Sequence, residues 1–472
     1  MASELSEDRI RQIVEEVVQQ VVGAAPNGST VGEGAGVFQH VDEAVAAATR
    51  AQQELVARPL EERKQIIETI RQVTRDYAED FSRRALEETG MGRFEDKIQK
   101  HHVAADATPG VEDLESVSWT GDHGLTVVEM APYGVIAAVT PSTHPVPTLV
   151  NNAIGIIAAG NAAVFNVHPG GKSVSMYAVR LLNQAIVAAG GPANLISAIA
   201  EPTIESADQL FKHPGIRLIL VTGGPGVVRA AFDSPKKAII AGPGNPPVVV
   251  DETADLEKAA RDIIDGGGFD NNILCIGEKQ VFVVESVAEE LKSLMVRYSA
   301  YELDAAQIEA LVQHAFVRDE HGELHATREL VGRSAWVLGE RIGLRLDEGL
   351  RMLIGETGVD HVFVQEEQMM PFLPIVRVPN VDQAIRAAVE SEHGYFHTAI
   401  IHSRNVENMH NMARAVNTTI FVKNGPSYAG VGLGGEGFGT YSIAGPTGEG
   451  LTSARTFTRQ RRCTLVDYFR IT

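Results

Sequence analysis

A chain of 472 residues exceeds what a single hydrophobic core accommodates, so two or three packed domains are expected. Its 61 acidic residues outnumber 41 basic ones, for a net charge of −20, and a field of that sign repels nucleic-acid phosphates and anionic lipid, so no nucleic acid and no membrane is expected as a partner. Only Cys275 and Cys463 are present, which excludes a disulfide framework and fits a reducing cytosol; no secretory leader is expected, and no apolar run approaches the roughly 20 residues that span a bilayer.

In chain order, Leu5, Ile10, Ile13, Val14, Val17, Val18, Val21 and Val22 recur mostly at spacings of three and four, so residues 5 to 22 read as an amphipathic helix. Ser6 can cap it, and Glu7 and Asp8 suit the positive end of its dipole. Residues 23 to 36, rich in Gly with Pro and Ser, cannot bury a core and read as a flexible linker. A helix docked on its own domain is the alternative; the linker argues for a separate interaction helix. From Val37 to about Lys100 the pattern is helical, and residues 125 to 130 read as a strand of a hairpin near Gly121 and Gly124. Apolar runs at 134–139, 162–167, 195–199, 216–222 and 238–241 then alternate with helical segments near 144–160, 173–189, 203–213 and 225–232. Buried parallel strands joined by helices read this way, and nucleotides bind at the carboxyl ends of such strands. A second alternation from Val248 to about Phe421 predicts another α/β domain; the chain closes with a glycine-rich stretch and a basic one at Arg459 to Arg462, and carries no internal repeat.

The sharpest local feature is Gly-Gly-Gly-Phe-Asp-Asn-Asn-Ile-Leu-Cys-Ile at 266 to 276. Glycines let a backbone approach a ligand closely, and a cysteine in such a loop is a candidate nucleophile, although a buried structural role is the commoner fate of a free cysteine. A thiol that titrates near about 8.5 is only a few per cent thiolate at neutral pH, so the site must lower that value or accept slow attack. Cys463 follows arginines in the tail, has no glycine loop and reads as structural. Two strand–turn–helix joints, Thr140-Pro141-Ser142-Thr143-His144-Pro145 and Thr222-Gly223-Gly224-Pro225-Gly226, present free N–H groups and a positive dipole end suited to a phosphate. Gly430, Gly432 and Gly435 match the G-x-G-x-x-G spacing, but no strand leads directly into them and a poor helix start follows, so the dinucleotide fingerprint fails there. His393 and His397 stand four apart, yet Gly394 weakens a helix and no third ligand is evident, so no metal is expected.

Taken together, these residues resemble the CoA-acylating aldehyde dehydrogenases of bacterial microcompartments, from about residue 37 to the C-terminus. The resemblance is carried by Glu88-Thr89-Gly90-Met91-Gly92, by residues 106 to 114, by Ala241-Gly242-Pro243-Gly244-Asn245-Pro246-Pro247, by the loop from Asp270 to Cys275 and by residues 421 to 430. It implies an α/β aldehyde dehydrogenase fold with a Rossmann-like cofactor domain, an α/β catalytic domain and a β-flap for oligomerisation. Residues 1–22 would then be an amphipathic encapsulation helix, 23–36 a flexible linker and 37–243 the NAD-binding domain with an oligomerisation hairpin near 115–132. Residues 244–430 would form the catalytic domain, and 431–472 a segment returning to the cofactor domain and flap. By resemblance Cys275 is the nucleophile; NAD is held by Thr140, Pro141, Ser142, His168, Thr222, Gly223 and Gly224, with Glu367 on the nicotinamide ribose; and coenzyme A is the co-substrate. The implied partners are a small aldehyde, a shell protein met through residues 1–22, and further copies of the chain in a dimer or tetramer, inside a cytoplasmic microcompartment.

Two departures qualify the chemistry. Hydrolytic relatives carry a water-activating glutamate in the block where this chain has Ala241, 34 residues before Cys275. A positioned general base is worth roughly 10²–10⁴ in rate, so thioester hydrolysis is expected to be slow and transfer to a thiol to win. Thr143 stands where hydrolytic relatives have an asparagine amide, leaving the Cys275 backbone N–H, with the Thr143 hydroxyl, to stabilise an oxyanion; His144 replaces an asparagine usual in acylating relatives. The competing readings are a hydrolytic enzyme that releases a free acid and a non-catalytic shell-binding scaffold.

Overall fold

The computed structural model describes residues 9–13, 36–318 and 324–471. The chain divides into two compact units, each built on its own parallel sheet.

The first unit takes the chain up to Glu88, then Lys100–Ala241 and Phe438–Thr472. Its six strands run in the order Val37–Phe38, Ile196–Ile199, Ala162–Val167, Val135–Thr140, Ile216–Thr222, Ala238–Ala241, every neighbouring pair parallel. Val135–Thr140 and Ala162–Val167 are buried along their whole length, which is why their sequences are apolar runs and not alternations. Helix Pro145–Ala158 is buried at every position, with Pro145 at its start, where a missing N–H costs nothing. Strand order reverses at Val135–Thr140: the chain leaves it for Ala162–Val167 and Ile196–Ile199 on one side and for Ile216–Thr222 and Ala238–Ala241 on the other. Turns leaving the carboxyl ends at such a reversal splay apart and open a crevice.

A separate antiparallel sheet in this unit joins Val117–Gly121, Gly124–Pro132 and Thr458–Val466, with Cys463 paired opposite Val127 and exposed. Residues 9–13 are helical, and Ile10 and Ile13 are buried, Ile13 in the core of this unit. That corrects the expectation of an N-terminal stripe standing apart from the fold, as far as these residues reach: amphipathic spacing marks a face to be buried, and at these two positions it is buried in the chain's own fold. The other residues of 1–22, and linker residues 23–35, lie outside the described residues.

The second unit comprises Thr89–Gln99 and Gly242–Gly437. Its seven strands are ordered Ala300–Glu302, Met352–Glu356, Phe372–Val378, Gln280–Val284, Pro247–Val250, Thr398–His402, Ile420–Lys423, again all parallel. Two boundaries differ from those expected: Thr89–Gln99, placed by sequence in the cofactor domain, packs here, and the return to the first unit comes at Phe438, not at residue 431. The reason for the first is electrostatic. The Arg93 N–H donates to the Asp270 carboxylate at 2.7 Å, and the Lys97 ammonium pairs with it at 3.3 Å, both charged groups being buried. The Asp270 N–H in turn donates to Asp96 at 2.8 Å.

Removing one partner of a buried ion pair strands the other, at a cost of about 3–5 kcal/mol. Lys97→Met is therefore expected to lower the thermal denaturation midpoint clearly, and more than the exposed substitution Lys64→Met. Equal midpoints for the two variants would show that Asp270 does not depend on Lys97.

Candidate active site

In the second unit, helix Leu256–Gly268 runs into a tight turn, Phe269–Asn272, and then into the loop that carries Cys275. Asp270, Asn271 and Asn272 adopt φ of +48°, +56° and +65°. Three consecutive left-handed residues turn the chain back sharply, and Asp and Asn are the non-glycine types that tolerate the region best. Each is fastened. Asp270 is held as described above, the Asn271 amide donates to the Gly332 carbonyl at 2.9 Å, and the Asn272 amide donates to the carbonyls of Gly267 (2.7 Å) and Glu278 (2.8 Å). Gly266 is required on the approach, because a Cβ there would stand 2.2 Å from the Glu278 carboxylate.

Cys275 itself is partly exposed, while the residues on either side of it are buried. Burial pushes its thiol up to about 12, and the Glu367 charge adds to the rise; the Lys279 charge and the N–H groups of Cys275 and Ile276 pull the other way. Of the two alternatives the sequence leaves, a lowered thiol or a slow attack, the surroundings remove the first: they raise the thiol. Lys279 is fully buried, and its ammonium donates to the Asn272 carbonyl at 2.8 Å, to the Leu274 carbonyl at 3.0 Å and to the Asn272 side-chain oxygen. Burial brings it down to about 8. Burial also raises Glu367 to about 7, against the opposing Lys279 charge and the N–H donated by Gly244. Glu278 rises to about 7 for the same reason, although the Ser427 hydroxyl and N–H both donate to it at 2.8 Å. His397 is buried and held down to about 4, so it is neutral at pH 7; its Nδ1 lies 2.9 Å from the Thr398 hydroxyl. Gly244 sits tightly between the two, since a Cβ there would lie 2.6 Å from the Cys275 carbonyl oxygen and 2.9 Å from the His397 ring.

The first unit holds the sequence-predicted cofactor residues. Thr140 to Thr143, His168 and Thr222 to Gly224 leave the carboxyl ends of three adjacent parallel strands, so the topology brings these turns to one edge of the sheet. A Cβ on Gly170 would stand 3.6 Å from the Ser142 Cβ, which places the first two turns in contact. The Thr140 hydroxyl is buried and has no hydrogen-bond partner among the described residues, whereas the Thr222 hydroxyl meets Ser442 at 2.6 Å. Cβ atoms on Gly224 and Gly226 would meet nothing, so the start of helix Pro225–Phe232 is open. Helix Lys172–Ala188 is different: the Glu88 carboxylate already accepts from the Ser173 and Val174 N–H groups at 2.7 and 2.8 Å. His168 is exposed and caps the Gly170 N–H at 3.0 Å. Thr143 is half-buried and its carbonyl accepts from Lys100 at 3.3 Å. His144 turns into its own unit, 2.9 Å from the Lys100 ammonium and against Tyr441, so the usual asparagine is replaced by a packed ring.

Sequence reading passed over Lys279, Glu278 and His397. The first two form a charged pair set directly before the buried strand Gln280–Val284, a placement that a solvated loop does not need. His397 entered only through its spacing from His393, where the sequence favours solvated or hydrogen-bonded histidines over a metal pair; His393 lies in a left-handed turn with its Nε2 at the Gln365 carbonyl, and the two rings have separate hydrogen-bond partners.

The profile of the aldehyde dehydrogenase family matches residues 19–444. The acetaldehyde dehydrogenase (acetylating) EutE of Salmonella typhimurium is 52% identical over 470 residues, covering 99% of this chain and 100% of that one. Among solved structures, Rhodopseudomonas palustris propionaldehyde dehydrogenase with bound CoA and an acylated cysteine superimposes with a TM-score of 0.89 at 47% identity, over 92% of this chain and 98% of that one. A propionaldehyde dehydrogenase from the Clostridium phytofermentans fucose utilisation bacterial microcompartment gives 0.90 at 46% identity, over 93% and 100%.

Because the Glu367 charge raises the Cys275 thiol, Glu367→Gln is expected to shift the pH profile of Cys275 alkylation by iodoacetamide to lower pH. The comparison is made in a Cys463→Ala background, so that the exposed Cys463 does not react. Alkylation that is unchanged or slower in Glu367→Gln would remove Glu367 from the electrostatics of the thiol.

Proposed function

The chain belongs to the aldehyde dehydrogenase family, and from that premise we infer that it is a CoA-acylating aldehyde dehydrogenase, converting a short-chain aldehyde, CoA and NAD⁺ to an acyl-CoA and NADH. The observation that carries the reading is Cys275, a partly exposed thiol on a loop otherwise buried and fastened, in a chain 47% identical to an enzyme whose cysteine is acylated in the presence of CoA.

The first unit's crevice suits a dinucleotide. It offers the open start of helix Pro225–Phe232 at Gly224 for the diphosphate and, at the end of the neighbouring strand, the Thr140 hydroxyl, unpartnered among the described residues, whereas the start of Lys172–Ala188 is already taken by Glu88. We assign Thr140, Pro141, Ser142, His168, Thr222, Gly223 and Gly224 to its binding, and Glu367 to the ribose next to the nicotinamide. The bound nicotinamide supplies a hydride acceptor. The Cys275 sulfur, having lost its proton, adds to the aldehyde carbon; the alkoxide that forms is met by the Cys275 N–H, with Thr143 proposed from its sequence position as a second donor. Loss of hydride leaves a thioester on Cys275. The CoA thiol then attacks that thioester, the acyl group moves to CoA, and the Cys275 sulfur is released.

Ala241 ends its strand buried and without a carboxyl group, so water meets no base at the position that hydrolytic relatives use. This favours the acylating reading over one that releases free acid. Exposed Val117, Trp119, Leu465 and Val466 on the three-stranded sheet are proposed as the contact of a homo-oligomer. Residues 1–22 are proposed to dock on a microcompartment shell; since Ile10 and Ile13 are covered by the first unit, docking must draw on the rest of the stripe or release those two.

NADH formation from propionaldehyde is expected to continue turning over only when CoA is present, to vanish in Cys275→Ala and to persist in Cys463→Ala. Ala241→Glu should raise CoA-independent turnover, toward the ~10²-fold end of general-base effects. A wild-type enzyme that turns over equally without CoA would mark it as hydrolytic. Separately, deletion of residues 1–36 should abolish co-purification with shells and, since it uncovers the core that Ile13 joins, lower the thermal denaturation midpoint, with kcat and KM of the folded enzyme almost unchanged; targeting that survives the deletion would refute the docking role.

A further inference from the structure

Lys279 makes three contacts with its three N–H groups, and all three acceptors belong to the stretch just before the nucleophile: the Asn272 carbonyl, the Asn272 side-chain oxygen and the Leu274 carbonyl. The Leu274 carbonyl is half of the peptide whose other half is the Cys275 N–H. That peptide is trans, as all the described peptides are, so its C=O and N–H point in opposite directions. Fixing the carbonyl therefore aims the N–H. The Gly277 N–H also donates to the Leu274 carbonyl, at 3.0 Å, so this oxygen is held from two sides. A hydrogen bond to the carbonyl of a peptide also polarises its N–H and strengthens it as a donor. Lys279 is itself held by backbone, its N–H donating to Pro246 at 3.0 Å and its carbonyl accepting from Gln368 at 3.1 Å.

We propose that Lys279 is the positioning residue of the oxyanion site: its ammonium pins the Leu274 carbonyl so that the Cys275 N–H faces the oxygen of the bound aldehyde, and its charge stands beside the sulfur and the alkoxide that forms on it. A neutral side chain of the same length would fill the space without either effect. Burying an ammonium with no use for its charge is unfavourable compared with an apolar residue of the same size, which is the second reason to assign it a role. The N–H groups of Cys275 and Ile276 both favour the charged sulfur, in keeping with a peptide aimed at that side of the loop. The inference rests on Cys275 being the acylated nucleophile.

Lys279→Met and Lys279→Gln would be compared with wild type in two measurements: the single-turnover NADH burst from propionaldehyde and NAD⁺ without CoA, and the pH profile of Cys275 alkylation by iodoacetamide. Loss of an oxyanion donor costs roughly 10²–10³ in rate, and misaiming one should cost Lys279→Met a large part of that, at least about tenfold. The KM for propionaldehyde should move by less than about threefold, because the contact strengthens only as the alkoxide forms. Alkylation of Lys279→Met should shift to higher pH, a change that mere loosening of the loop would not produce. Lys279→Gln, which keeps a donor for the Leu274 carbonyl but not the charge, should retain more of the burst than Lys279→Met while showing a similar alkylation shift. If Lys279→Met does not fold, the Lys279→Gln comparison with wild type decides the matter by the same two readouts. Variants that burst at the wild-type rate, or that alkylate with the wild-type pH profile, overturn the role of Lys279 and leave the acylating reading intact. A wild-type enzyme with no burst overturns both.

Discussion

The interaction on which the rest depends is the seating of Asp270 between the Arg93 N–H and the Lys97 ammonium. Asp270 opens the left-handed run that reverses the chain ahead of Cys275, and each such residue costs on the order of 1 kcal/mol or more. Hydrogen bonds to a charged group contribute about 1.5–3 kcal/mol, so the fastenings of Asp270 offset the strain locally. The stretch Thr89–Gln99 packs with the second unit because it supplies these partners. Without them the loop would have no reason to hold the conformation that brings Leu274, Cys275 and Lys279 into one hydrogen-bonded turn.

A buried, tightly fastened loop has an electrostatic consequence. The burial that keeps the loop rigid also opposes charge on the Cys275 sulfur, and Glu367 adds to the effect, so at neutral pH the resting thiol holds its proton. A protonated thiol reacts slowly with stray electrophiles and oxidants. In the proposed reaction the charge balance around sulfur would have to change: burial raises Glu367 to about 7, near physiological pH, and the Lys279 charge opposes it. The absence of a carboxyl group at Ala241 belongs to the same economy. A base placed to help water would help hydrolysis as well, whereas a thiol acceptor is the better nucleophile and needs less assistance.

Much of the architecture was legible because parallel, doubly covered strands leave continuous apolar runs: those at 134–139, 162–167 and 216–222 fall on Val135–Thr140, Ala162–Val167 and Ile216–Thr222. The loop around Cys275 stood out because glycines that let a backbone approach a ligand closely precede the cysteine, although the structure puts those glycines in the end of helix Leu256–Gly268 and leaves the reversal to Asp270, Asn271 and Asn272. What stayed hidden depends on distance along the chain. Arg93 and Asp270 are 177 positions apart, and no periodicity connects them. Lys279 and Glu278 looked like an ordinary charged turn, since only the fold reveals that both are buried and held by Asn272, Leu274 and Ser427. His397 was obscured by its spacing from His393, which suggested a helix where the chain turns left-handed instead. The covering of Ile10 and Ile13 was likewise invisible, because amphipathic spacing names a face to be buried but not the surface that buries it.

In the proposed function the fold presents Cys275 as an acyl carrier that waits for a thiol. That role is tested most directly by incubating the enzyme with propionaldehyde and NAD⁺ in the absence of CoA, mapping the adduct by peptide mass spectrometry, and then adding CoA. A stable propionyl group is expected on the Cys275 peptide, disappearing within a turnover of CoA addition as propionyl-CoA forms. An acyl group on any other residue, or one on Cys275 that drains to propionate as fast without CoA as with it, would contradict the account.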